Sequence, residues 1–229
     1  MNYASYSVPA ARGRAASDAL WITYRWMSLG LATTGLVALA VVSSDAAMQL
    51  LLGSRLVFYA LLIAQLGLVV AFAPVARRAS TPVVAAMFFA YAALTGVTLS
   101  TIFLIYTASS IAAVFFVTAG SFAGLSAFGL FTKRDLSAMG RFAIFALFGI
   151  VIAGLVNLLV ASSGLQLLLS IGGVFVFGAL TAYDTQKLKE LFASGDASAN
   201  LPLVGALTLY LDFINMFLFM LRLFGDRRR

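Results

Sequence analysis

The stretch Leu203-Val204-Gly205-Ala206-Leu207-Thr208-Leu209-Tyr210-Leu211-Asp212-Phe213-Ile214-Asn215, running on to Phe224, decides how the whole chain is read. It is apolar for the length a helix needs to cross a bilayer, about 20 residues at about 1.5 Å each. Yet Asp212 sits near its middle. A charged carboxylate at the centre of a membrane helix costs about 2.5–3.5 kcal/mol on insertion scales. Such a residue persists where it faces a polar protein interior and has a partner. The nearest partner in the sequence is Asp184, toward the end of the preceding apolar segment.

The rest of the chain agrees with a membrane setting. Of its 229 residues, 62% are hydrophobic and 10% charged, against about 25% charged in a soluble globular domain. Seven segments are long and apolar enough to span: Trp21–Val42, Leu56–Ala73, Val83–Tyr106, Ile111–Phe131, Phe142–Val160, Leu165–Gln186 and Leu203–Phe224. The expected fold is therefore an all-α integral membrane protein of seven transmembrane helices. Residues 1–20 read as a disordered polar N-terminal tail, 21–225 as the transmembrane domain and 226–229 as a basic C-terminal tail. The longest connection, Lys187 to Pro202, reads as a polar loop containing Gly195, Asp196 and Asn200.

The formal net charge of +7 is not a nucleic-acid signature, because the basic residues sit in short loops between spans. Arg12, Arg14, Arg25, Arg77, Arg78, Lys133, Arg134, Arg141, Lys187 and Lys189 collect on one side. The positive-inside rule makes that side cytoplasmic and places the N-terminus there. Seven spans then carry Arg227, Arg228 and Arg229 to the far side, against the local rule.

Small and polar residues inside the spans have simpler readings. Gly120 and Gly124, and Gly172, Gly173 and Gly178, are expected to allow close helix packing. Gln65 and Asn157 read as interhelical hydrogen-bonding glue. Asn215, three residues after Asp212 on the same helix face, is placed to donate to the carboxylate or to line a pathway.

The chain has no cysteine and no histidine. Disulfide and thiolate chemistry are absent, and so is the usual pH sensor. Proton sensing is left to carboxylates. If Asp184 and Asp212 meet, they cannot both ionise easily in a low-dielectric interior, and the pair titrates as a unit. Holding one proton it is a hydrogen-bonded lock. Without the proton it repels itself or recruits a cation. Ca²⁺ prefers six to eight oxygens, so two carboxylates make a weak, transient site, as a permeation pathway needs. Arg77 or Arg78, at the end of the second span, is a possible latch onto Asp184.

Two motifs carry a family resemblance. Gly178-Ala179-Leu180-Thr181-Ala182-Tyr183-Asp184-Thr185-Gln186-Lys187, followed by the Gly205–Asn215 stretch, resembles the transmembrane Bax inhibitor motif family, closest to its bacterial Bax inhibitor-1/YccA branch. Gln65-Leu66-Gly67-Leu68-Val69, Leu94–Ser100 and Thr132–Ser137 agree with it. The resemblance implies a last helix surrounded by the other six. It also implies a pH-sensitive calcium leak in the bacterial inner membrane, controlled by Asp184 and Asp212 with an arginine latch at Arg77 or Arg78. The bacterial branch further implies a non-conducting alternative, the binding of a membrane-bound AAA protease. The expected partners are thus the lipid bilayer, calcium ions, protons and such a protease. No cofactor is expected, and no enzymatic activity. A cation–proton exchanger is a lesser alternative. An intramembrane aspartyl protease is a weaker one, because Leu209-Tyr210-Leu211 stands where such proteases carry Gly-x-Gly before the second aspartate.

Overall fold

The computed structural model describes residues 7–194 and 198–228, with side chains from Arg14 onward. Gly195 and Asp196, named above in the long loop, and Arg229 lie outside the described residues, as does the side chain of Arg12. Nine helices occur among the described residues: α1 (Ser7–Val42), α2 (Asp45–Gly53), α3 (Arg55–Ala76), α4 (Thr81–Leu99), α5 (Ile102–Ile105), α6 (Ala108–Phe131), α7 (Ser137–Val160), α8 (Ser163–Ala193) and α9 (Leu201–Phe224). Seven stretches, Arg14–Val42, Arg55–Ala76, Thr81–Ile105, Ala108–Phe131, Ser137–Val160, Ser163–Ala193 and Leu201–Phe224, are long and apolar enough to cross a membrane. The fold is that of an all-helical, seven-span membrane protein.

Local chemistry sets the helix ends. Ser44, Ser54 and Thr107 turn their side-chain oxygens onto the amides of Ala47, Val57 and Ser110, capping α2, α3 and α6. Each satisfies one of the orphan donors of a first helical turn. Pro82 occupies the first turn of α4, where its missing N–H is not needed.

The spans differ from the sequence reading in four places. Residues of the expected disordered tail are helical, with Ala16 and Leu20 buried. The alanine-rich run around Ala15, Ala16 and Ala19 has high helix propensity and simply extends the first span backward. The short helix α2 lies between the first two spans. The third span is broken after Leu99. There Thr98, Ser100 and Thr101 each donate a hydroxyl to a carbonyl three residues back, at 2.9, 2.7 and 2.8 Å, and such bonds compete with the helical ladder. Finally, α8 runs to Ala193, through the first part of the expected Lys187–Pro202 loop, with Leu188 and Phe192 buried.

The chain divides into two compact units. The first holds α1 to α5 together with Phe192–Tyr210. In it, α4 packs against both α1 and α3. Gly96 lies against the Thr34 carbonyl and Val37, and Gly30 against the Phe88 ring. The second unit comprises Tyr106–Leu191 and Leu211–Arg229. Phe115 and Phe122 of α6 pack edge-on against Phe213, with centroids at 5.4 and 5.5 Å, and Phe177 of α8 stacks on Phe219 at 5.9 Å. The first half of α9 thus belongs to one core and its second half to the other. Two-thirds of its membrane window (67%) is buried, against 6% for α3 and for α7. The outward residues of α7, Leu155, Leu158 and Leu159 among them, are exposed as lipid-facing side chains should be.

The glycines divide by position. A Cβ on Gly129 would drive into the Ala182 backbone carbonyl of α8, and Gly173 lies under the Phe219 ring. Gly120 and Gly124 face open space, so that G-x-x-x-G pair does not serve the packing expected of it within the chain. We predict that Gly129→Ala destabilises the protein by about 1–3 kcal/mol through overpacking, whereas Gly120→Ala changes stability by less than about 0.5 kcal/mol. Thermal unfolding of both variants in one detergent checks the contrast. A second prediction concerns Ala161, which ends α7 in the left-handed region with φ 51°. Ala161→Gly removes about 1 kcal/mol of backbone strain and should raise the unfolding midpoint.

Candidate functional site

Asp184 lies on α8 and Asp212 on α9, both within the second unit. Small residues set the position of the first. Gly129 of α6 sits against the Ala182 carbonyl, and Gly140 of α7 sits under the Tyr183 ring. Both neighbours of α8 therefore approach it at the turn that carries Asp184. On α9, Phe213 is locked between aromatic rings of α6, which fixes the rotation of the helix at Asp212.

The two carboxyl groups lie within hydrogen-bonding reach of each other. An ionised carboxylate only accepts hydrogen bonds, so a bond between two carboxyl groups requires one of them to hold its proton. Asp212 is 4% exposed, and its Oδ2 has no hydrogen-bond partner among the described residues. Asp184 is half-buried and feels the charge of Lys187, whose ammonium lies 5.6 Å from the Tyr183 ring centroid. The site is thus a carboxyl pair, closed in at Asp212 and more open at Asp184. Among the described residues no three acidic side chains come together. The pair alone therefore supplies few of the oxygens that Ca²⁺ takes.

The other expected residues are placed differently. Asn215 is half-buried and its Nδ2 donates to the Leu211 carbonyl at 2.8 Å. Its amide goes to its own helix rather than to the Asp212 carboxyl. Arg77 and Arg78 follow the end of α3 in the first unit, with exposed side chains. Gln65 does act between helices, within reach of Thr95 and Thr98 at 3.4 and 3.5 Å. Asn157 does not: its Oδ1 accepts from the Ser162 amide at 3.1 Å and closes the end of its own helix.

Three residues matter more than their sequence setting suggested. Tyr210 is fully buried, and its hydroxyl lies 2.6 Å from Thr34 Oγ1. Thr34 spends its own proton on the Ala92 carbonyl at 2.9 Å, so Tyr210 is the donor. A tyrosine inside an apolar helix signals such a partner, because its hydroxyl needs one when buried. Gln186, two residues after Asp184, accepts from the Leu136 amide and donates to the Arg134 carbonyl, both at 2.9 Å. It holds the turn between α6 and α7, where the Ser137 hydroxyl and amide keep the Asp135 carboxyl below its ordinary range. Asn200 plays a similar part in the first unit.

Comparison with known proteins fits this architecture. Residues 18–229 match the family described as inhibitor of apoptosis-promoting Bax1. The chain belongs to the Bax inhibitor-1 family. Within it, the chain is 49% identical over 210 residues to the inner membrane protein YbhL of Escherichia coli K12, covering 90% of each chain. It is 45% identical to an uncharacterized protein of Deinococcus radiodurans, covering 90% of this chain and 89% of the other. It is 40% identical to the uncharacterized protein YrjE of Lactococcus lactis, covering 88% of each. This Bax inhibitor-1 family member is accordingly a multi-pass membrane protein, and its carboxyl pair lies on the two motifs that carry the resemblance.

The Gln186 clamp gives a prediction. Gln186→Leu strands the Leu136 amide and the Arg134 carbonyl, a loss of about 1–3 kcal/mol. The expected readouts are a lower unfolding midpoint in detergent and faster tryptic cleavage at Lys133 and Arg134 than in the unmodified protein.

Proposed function

We propose that this Bax inhibitor-1 family protein is a pH-sensitive cation leak pathway, with Ca²⁺ as the permeant ion and the Asp184–Asp212 pair as its gate. The observation that carries this reading is the close approach of two carboxyl groups inside membrane-spanning helices. With one proton shared, the pair ties α8 to α9 and carries a single charge. When the proton leaves, two negative charges face each other in a low-dielectric interior. The tie is lost, and the carboxylates become ligands for a passing cation. Two carboxylates bind Ca²⁺ weakly, which suits passage rather than storage. The buried, unpartnered Oδ2 of Asp212 adds an acceptor already free for the ion. The basic loops orient the N-terminus to the cytoplasm, which gives the pair access from the cytoplasmic end of α8. An arginine latch at Arg77 or Arg78 is kept as part of the proposal.

The test is Ca²⁺ flux into proteoliposomes across pH 6 to 8. Flux is expected to rise with pH in the unmodified protein as the shared proton is lost. Asp212→Asn keeps a hydrogen-bonding amide that cannot ionise, so its flux should fall at least tenfold at pH 8 and lose its pH dependence. Asp184→Asn should flatten the pH profile in the same way. Flux unchanged by either substitution sinks the gating mechanism, and leaves the binding of a membrane protease as the reading to pursue.

A further inference from the structure

Asn200 stands immediately before α9 and is 6% exposed. Its carbonyl accepts from the Leu203 and Val204 amides at 3.0 and 3.1 Å, as the residue at a helix start does. An asparagine there ordinarily turns its side-chain oxygen back onto the same amides. Asn200 does not. Its Nδ2 donates to the Ala76 carbonyl and to the Ala79 carbonyl, both at 2.9 Å, and its buried Oδ1 has no hydrogen-bond partner among the described residues. The side chain gives up its usual local bond to reach the turn between α3 and α4.

The two carbonyls it holds bracket Arg77 and Arg78. The remaining bonds of that turn are its own, Arg78 and Ala79 amides to the Val75 carbonyl at 3.0 and 2.8 Å. With both flanking carbonyls held, the turn's backbone is fixed to the start of α9, while the two arginine side chains stay exposed beside a cleft of about 580 Å³ lined by Ala73–Val75 and Arg77–Ala79.

We infer that Asn200 is a positioning residue that couples the Arg77–Arg78 turn to the first turn of α9, so that a displacement of that helix carries the arginine pair with it. Asp212 lies further along the same helix. This inference rests on the gating role proposed for α9, but its first test does not.

The chain has no cysteine, so labels can be placed uniquely. Ser80 and Ala199 are exposed, and Ser80 makes no side-chain capping bond. Spin labels on Ser80→Cys and Ala199→Cys should give one narrow distance by pulsed electron resonance. Asn200→Asp, which keeps the shape but removes the amide donor, and Asn200→Ala should both broaden that distribution at least twofold. Asp212→Asn should leave it narrow. In the flux assay, Asn200→Asp should shift the midpoint of the pH profile while leaving the Asp212 dependence intact. An unchanged label distance in both Asn200 variants overturns the coupling, even if their unfolding midpoints fall. Absence of flux in the unmodified protein defeats the gating proposal instead, and the label distances still decide whether the clamp exists.

Discussion

Within a bilayer there is no water to satisfy a polar group, so each polar group in a span must find its partner inside the protein. The helix α9 is where this constraint presses hardest. It carries Tyr210, Asp212 and Asn215 within six residues, and it is the most buried of the seven spans. Tyr210 is answered by Thr34, Asp212 by Asp184 and Asn215 by its own helix. An aspartate that faced lipid would meet the full insertion penalty. Set beside a second carboxyl inside the protein, it is kept from the lipid.

The same constraint explains how the basic turns are held. The turn between α6 and α7 and the turn between α3 and α4 both carry arginines, and both present backbone carbonyls beyond the helical ladder. In each unit a carboxamide side chain meets them: Gln186 in one, Asn200 in the other. A carboxamide suits this work because it brings two donors and one acceptor without charge. Both amides belong to the two chain segments that lead into or out from the acidic residues. The carboxamides that hold the basic turns thus stand on the same two helices, α8 and at the start of α9, that carry the acidic residues.

Much of this was legible in the chain before any fold was known. The seven spans follow from apolar length, and their expected ends fall within a few residues of the observed ones except at α1 and α8. Those two exceptions have one cause: a helix already nucleated by the membrane continues into polar sequence while its neighbours bury one face, as Leu188 and Phe192 do. The break after Leu99 was hidden because Thr98, Ser100 and Thr101 read as tolerable in a span one at a time, and only together divert the ladder. The G-x-x-x-G pair at Gly120 and Gly124 misled for the opposite reason. The spacing marks a smooth helix face but does not say whether another helix of the same chain lies against it.

By itself the sequence determined the class of the protein, the number of its spans and the residues that had to be paired, because hydrophobic length and intramembrane charge are properties of the chain alone. The family resemblance pointed to the same two aspartates. Only the tertiary structure decided which groups meet. It brought the Asp184 and Asp212 carboxyls together, sent the Asn215 amide to its own helix and turned Asn157 into a local cap. It also gave Gln186 and Asn200 their partners 50 residues or more away along the chain. Hydrogen bonds of that kind depend on the rotation and depth of one helix against another, within about an ångström. No local pattern encodes those quantities; they emerge from packing.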